Sequence, residues 1–178
     1  MSVEAVLVDS LKARIRDVPD FPKKGIVFKD ITTLLQEPDG LRDTSRALSQ
    51  LCHGRAVDKV LAIESRGFIF GALLAERLGR GFVPVRKPGK LPYRTLSASY
   101  ALEYGEDSLE IHEDALQPGD RVLVVDDVIA TGGTARAVGE LVERLGASVT
   151  AYAFLIELTF LKGRQRLVGS EVLSLIRY

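Results

Sequence analysis

The chain has almost no cysteine: Cys52 stands alone among 178 residues. That excludes an internal disulfide and a zinc site built from several cysteines, and it fits a reducing cytosol. Neither sign of charge is in excess, with 24 Lys and Arg against 24 Asp and Glu. The broad basic footprint of a dedicated nucleic-acid binder is therefore missing, and any cationic function must come from a local cluster. Nowhere do about 18 apolar residues run together, so no membrane-spanning helix is expected. Glu4, Asp9 and Lys12 interrupt the first apolar residues, which leaves no signal-peptide core. Internal repeats and low-complexity linkers are absent as well. A chain of this length buries roughly 70% of its extended surface without staples. The expectation is one domain, 1–178, in a cytoplasmic protein with neither membrane nor nucleic acid as partner.

Val3, Leu7, Leu11 and Ile15 recur about once per helical turn, which predicts an amphipathic helix over 3–16. Two prolines and a glycine in Val18-Pro-Asp-Phe-Pro-Lys-Lys-Gly25 predict irregular structure, and Pro38 or Asp39 starts a helix to about Leu51. From Asp58 the pattern alternates. Lys59 to Ile63 reads as a strand, Gly67 to Leu78 as an apolar helix and Phe82 to Val85 as a short strand, with Pro84 suited to a sheet edge. After Lys90 the text turns polar until Leu109-Glu-Ile111, and such a stretch often forms a lid. Val122 to Val125 suits a strand covered on both faces. A helix follows with Ala135, Val138, Leu141, Val142 and Leu145 on one side and Gly146 as its stop, and then a strand from Val149 to Ile156. The sum is an alternating α/β core.

Three strand-end loops carry charge or phosphate-binding character. In Asp126-Asp-Val-Ile-Ala-Thr-Gly-Gly-Thr134, two acids leave a buried strand and a glycine turn opens a helix. Gly132 and Gly133 permit close backbone approach, and the helix start offers unpaired amides to an anion. The acids cannot hold a phosphate themselves, so the same ligand must offer something that satisfies carboxylates. A ribose diol does so, with or without a divalent cation. The glycine-lysine-hydroxyl ending of a Walker loop is absent. Glu64-Ser-Arg-Gly67 places Arg66 at a second strand-to-helix junction, and Arg86-Lys-Pro-Gly-Lys90 places Arg86, Lys87 and Lys90 after the next strand. Open α/β sheets bind ligands at such strand ends, and these two loops supply cations for further phosphates.

With Val124 to Thr134, the segments Asp20 to Ile31, Glu64 to Phe68, Arg86 to Pro92, Tyr100 to Gly105 and Glu157-Leu158 resemble, in order, the adenine branch of the type I phosphoribosyltransferase family. Lys29 departs from the pattern, because the family more often has arginine there. The resemblance implies an open, mostly parallel twisted sheet flanked by helices. Its core would span about 55–158, with a small hood from about 18–35 and 157–178 and a mobile lid over about 91–110. It further implies transfer of 5-phosphoribosyl from phosphoribosyl pyrophosphate to adenine, giving AMP and pyrophosphate in purine salvage, with Mg2+ carried by the donor and no metal bound directly by protein side chains. Ala130, Thr131, Gly132, Gly133 and Thr134 would hold the 5-phosphate, and Asp126 and Asp127 the ribose hydroxyls. Arg66, Arg86, Lys87 and Lys90 would surround the pyrophosphate, some of them across a homodimer. Glu103 would handle the purine proton and Tyr104 close the site. Val27, Phe28, Lys29 and Leu158 would form the purine slot. His53 and His112 match no role. A phosphoribosyltransferase for hypoxanthine, guanine or xanthine, or a non-catalytic donor-sensing regulator of nucleic acid, are the alternatives at this point.

Overall fold

A computed structural model describes residues 3–102 and 105–178. The chain divides into two compact units, residues 1–47 and 48–178, and each is described by itself.

In the first unit α1 (Val3–Ala13) stops earlier than its apolar spacing predicts. The cause lies in the next residues, which are recruited into an antiparallel hairpin, β1 (Arg16–Pro19) on β2 (Val27–Asp30). Cross-strand charge fixes its register. Arg16 donates from Nε and Nη2 to Asp30 Oδ2 at 3.1 and 2.5 Å, and Lys29 Nζ donates to Asp17 Oδ1 at 2.7 Å. In the connecting loop Asp20 adopts a left-handed φ of 58° and accepts the Gly25 N–H at 2.7 Å. The proline-rich segment expected to be irregular is thus the tip of a hairpin. Asp30 also accepts the N–H of Thr32 at 2.9 Å, which satisfies an orphan donor at the start of α2 (Thr32–Gln36). Pro38 opens α3 (Pro38–Leu51), where its missing N–H costs no helical hydrogen bond.

In the second unit β3 (Lys59–Ile63), α4 (Gly67–Leu78) and β4 (Gly81–Val85) form the expected βαβ unit, and Gly79 ends α4 in the left-handed conformation. An antiparallel hairpin follows, β5 (Thr95–Leu102) on β6 (Gly105–His112). Then come β7 (Arg121–Ile129), α5 (Gly133–Arg144), β8 (Ser148–Glu157) and β9 (Glu171–Arg177). Five strands make a parallel sheet in the order β4-β3-β7-β8-β9. Pro84 lies on β4 at the sheet's edge, where a missing donor is tolerated.

The two crossovers run outward in opposite directions from the β3–β7 pair, so right-handed connections place α4 and α5 on opposite faces. Side-chain alternation agrees. A Cβ on Gly71 of α4 would collide with the Cβ of Ala62, whereas Leu61 and Ile63 join Val124, Val138, Leu141 and Phe154 in one apolar cluster. Val122 to Val125 are wholly buried, as their unbroken apolar run requires. The order reverses at β3 and β7, and the crevice beyond the carboxyl ends of those strands is where such a sheet binds ligand.

Candidate active site

A cavity of about 400 Å³ opens at that reversal, lined from the turn after β3 by Glu64, Ser65 and Arg66, from β7 by Asp126 and Asp127, from the following loop by Ala130, Thr131 and Gly132, and from the start of α5 by Thr134. Lys87 and Tyr100 complete the rim. The two acids lie inside β7, which runs past Val125 because β8 continues to pair with it through Asp126↔Phe154 and Ile129↔Glu157. Gly132 takes a left-handed φ of 81° directly before α5, so the loop's amides and the helix start face the same cavity.

The acids sit close together and their environments differ. Asp126 accepts the backbone N–H of Asp127 at 2.8 Å. Surrounding protein pushes the Asp126 carboxyl well above its ordinary range, and the neighbouring Asp127 charge pushes it further. Burial also raises Asp127, but the Arg66 guanidinium opposes it, with Nε 2.8 Å from Oδ2. Gly67 makes this close approach possible, since a Cβ there would fall 2.7 Å from Asp126 Oδ1 and 3.1 Å from the Val125 carbonyl oxygen. The glycine of Glu64-Ser-Arg-Gly67 is therefore a packing requirement of the site that the sequence reading passed over, and its signal was a glycine at the first position of a helix.

Glu64 is the other residue that reading left without a role. Its side chain is 7% exposed and accepts Arg86 Nε at 2.8 Å and Lys90 Nζ at 3.0 Å. Burial alone would raise its carboxyl, but the two cations outweigh that and hold it below the usual range. Arg86 is fixed further by a backbone bridge to Glu110, 2.9 and 2.7 Å in the two directions, and by donating from Nη1 to the Lys90 carbonyl at 3.1 Å. Arg86 and Lys90 thus adjoin the cavity through Glu64. Lys87 reaches it directly and is paired with Asp107 and Tyr100 of the β5–β6 hairpin.

Among the remaining expected residues, Gly133 is the first residue of α5 and lines a second hollow of about 190 Å³ with Tyr100, Arg136 and Arg166. Leu158 follows β8 and donates its N–H to the Ile129 carbonyl at 3.0 Å. Val27, Phe28 and Lys29 belong to the first unit. There Phe28 meets Phe21 edge to face at 5.2 Å and shares with Val18, Phe21 and Asp30 an apolar hollow of about 190 Å³. Lys29, the departure from the family pattern, is tied to Asp17. Glu103 and Tyr104 lie outside the described residues.

A reversed parallel sheet, a glycine turn at a helix start, a carboxylate pair and a cationic rim define a protein that handles a phosphorylated sugar. Residues 30–168 match the phosphoribosyl transferase domain, and the chain belongs to that family. It is 59% identical over 172 residues to the adenine phosphoribosyltransferase of Anaeromyxobacter dehalogenans, covering 97% of this chain and all of that protein. It is also similar to the crystal structure of adenine phosphoribosyltransferase from Thermoanaerobacter pseudethanolicus, with 55% identity, a TM-score of 0.94 and coverage of 96% and 99% of the two chains. The Saccharomyces cerevisiae enzyme, solved in complex with an imino-altritol bisphosphate and adenine, matches at 42% identity and a TM-score of 0.90 over 97% of this chain and 99% of that one.

Proposed function

We propose that the protein transfers the 5-phosphoribosyl group of phosphoribosyl pyrophosphate to adenine, releasing AMP and pyrophosphate. The observation that carries this reading is the meeting in one cavity of the 130–134 loop, the Asp126–Asp127 pair and the cations Arg66 and Lys87. A 5-phosphate suits the loop amides of Ala130 to Thr134, and the ribose hydroxyls suit the carboxylates. A pyrophosphate suits Arg66, Arg86, Lys87 and Lys90, some of which would act across a homodimer.

Transfer breaks the bond from the anomeric carbon to pyrophosphate and forms one to a purine nitrogen, which loses its proton. Positive charge grows on the sugar and negative charge on the leaving group. Asp126 and Asp127 face the first, the cationic rim faces the second, and fixed charges in a partly enclosed cavity act without reorganising. Glu103 would accept the purine proton, Tyr104 would close the site, and the segment over about 91–110 would be the lid. Magnesium would be carried by the donor, held chiefly by substrate phosphates and water beside Asp126 and Asp127, and when bound it would neutralise charge on the departing pyrophosphate. Val27, Phe28, Lys29 and Leu158 are carried over as the base-reading residues, with Phe28 and Leu158 offering apolar surface to a flat ring.

Purified protein supplied with magnesium, phosphoribosyl pyrophosphate and adenine should form AMP, with hypoxanthine, guanine and xanthine as poor competitors. Hypoxanthine outcompeting adenine would reassign the base, and no nucleotide from any purine would remove the enzymatic reading.

A further inference from the structure

We propose that Gly163 is a positioning residue for the 130–134 loop, setting the height at which its amides meet the donor's 5-phosphate, and that the Glu157–Arg164 pair holds Gly163 in place. The inference rests on that loop being the 5-phosphate site.

After β8 the chain turns through Leu158, a 3₁₀ turn at Thr159–Leu161 and a second at Gly163–Arg166. Gly163 is buried, and its backbone packs on the loop with no side chain between them. A Cβ on Gly163 would strike the Ala130 carbonyl oxygen and lie 3.0 Å from the Gly132 nitrogen, while a Cβ on Gly132 would strike the Gly163 carbonyl oxygen. Both obstacles are backbone, so neither can swing away as the end of a long side chain would. Gly163 does not have a left-handed φ, unlike Gly132. Its lack of a side chain therefore serves the close approach and not the local conformation.

The segment behind the loop is anchored in three places. Arg164 donates from Nε and Nη2 to the two carboxylate oxygens of Glu157 at 3.0 and 2.6 Å, and from Nη1 to the Val172 carbonyl at 2.6 Å. Glu157 is buried at 6% exposure, and Arg177 Nε lies 3.4 Å from the same carboxylate. Thr159 donates its N–H and its hydroxyl to the Tyr178 carbonyl at 3.0 and 2.5 Å. Gly163 is thus a fixed floor under the loop. A phosphate held by backbone amides depends on where those amides point, because a hydrogen bond weakens steeply once its donor is misaligned.

The test is equilibrium binding of ribose 5-phosphate and of pyrophosphate, measured separately, to wild type, Gly163→Ala, Arg164→Gln, Arg164→Lys and a Thr131→Asp, Thr134→Asp double variant, whose added carboxylates repel a phosphate in the loop. Gly163→Ala should bind ribose 5-phosphate at least about tenfold more weakly, the loss of one hydrogen bond to a charged group, while pyrophosphate binding stays within about twofold, because only the first ligand uses the loop. Arg164→Gln should show the same selective loss, and Arg164→Lys should recover part of it by keeping the charge without the fork. If Gly163→Ala does not fold, Arg164→Gln alone decides. If the double variant binds ribose 5-phosphate as wild type does, the loop is not the phosphate site and the underlying reading fails. If it binds weakly while Gly163→Ala and Arg164→Gln bind normally, or if those two lose both ligands equally, the positioning role is overturned.

Discussion

Arg66 Nε lies 2.8 Å from Asp127 Oδ2, joining the end of β3 to β7 across the point where the strand order reverses. The pair links a cation suited to pyrophosphate with a carboxylate suited to the ribose, so the two ends of a donor would be read by groups that already share a charge. Asp127 is 5% exposed; burial raises its carboxyl, and the adjacent Arg66 charge opposes that rise.

Asp127→Asn should lower kcat/KM for phosphoribosyl pyrophosphate by roughly tenfold or more, since a hydrogen bond to a charged group contributes about 1.5–3 kcal/mol. Steady-state kinetics at saturating adenine measures it. Unchanged kinetics would place the ribose diol elsewhere.

Asp126→Asn should stabilise the protein while harming turnover. The Asp126 carboxyl is raised by burial and by Asp127. Its contribution is therefore full below the ordinary carboxylate range and is lost as pH climbs through the raised value. The variant keeps an acceptor for the Asp127 N–H and loses the repulsion. Its Tm at neutral pH should exceed wild type by about 2–4 °C, the equivalent of about 1 kcal/mol in a domain of this size. That advantage should shrink toward pH 4. Calorimetry across pH without substrates checks both, and an advantage that grows on acidification would contradict the account.

Glu157→Gln should respond to pH in the opposite sense. Arg164 holds the Glu157 carboxyl below its ordinary range, so the pair's stabilisation is present above that range and disappears as pH falls through it. Arg164 is partly exposed, so the loss at neutral pH should sit near about 1.5 kcal/mol, the lower end for charge-assisted hydrogen bonds. Denaturant melts at pH 7 and pH 4 give the comparison, and an equal loss at both would show that the charge plays no part.

Cys52 is 1% exposed, and burial pushes its thiol up to about 11. A thiol reagent at pH 7.5 should leave the folded protein unlabelled and react fully in denaturant. Rapid labelling under native conditions would mean that this end of α3 opens readily.

The βαβ unit, α5 and the buried strand Val122 to Val125 were legible because apolar runs and glycine stops are local signals. The 126–134 segment was legible as a strand end, glycine turn and helix start for the same reason, with acids, glycines and helix start falling within nine consecutive residues. The β1–β2 hairpin was hidden because its register comes from Arg16 with Asp30 and Lys29 with Asp17, pairings that no periodicity reveals. β5 was missed although Leu96, Ala98 and Tyr100 alternate with Ser97 and Ser99, since small residues give a weak two-residue period. Glu64, Gly67 and Gly163 owe their importance to neighbours distant in sequence, namely the Arg86 to Lys90 loop, Asp126 and Ala130.

The most direct test of the whole account is AMP production from phosphoribosyl pyrophosphate, with adenine, hypoxanthine, guanine and xanthine present together at equal concentration. AMP as the dominant product, formed only when magnesium is supplied, is the predicted result. IMP, GMP or XMP in its place would contradict the assignment of the base, and no nucleotide at all would contradict the assignment of the enzyme.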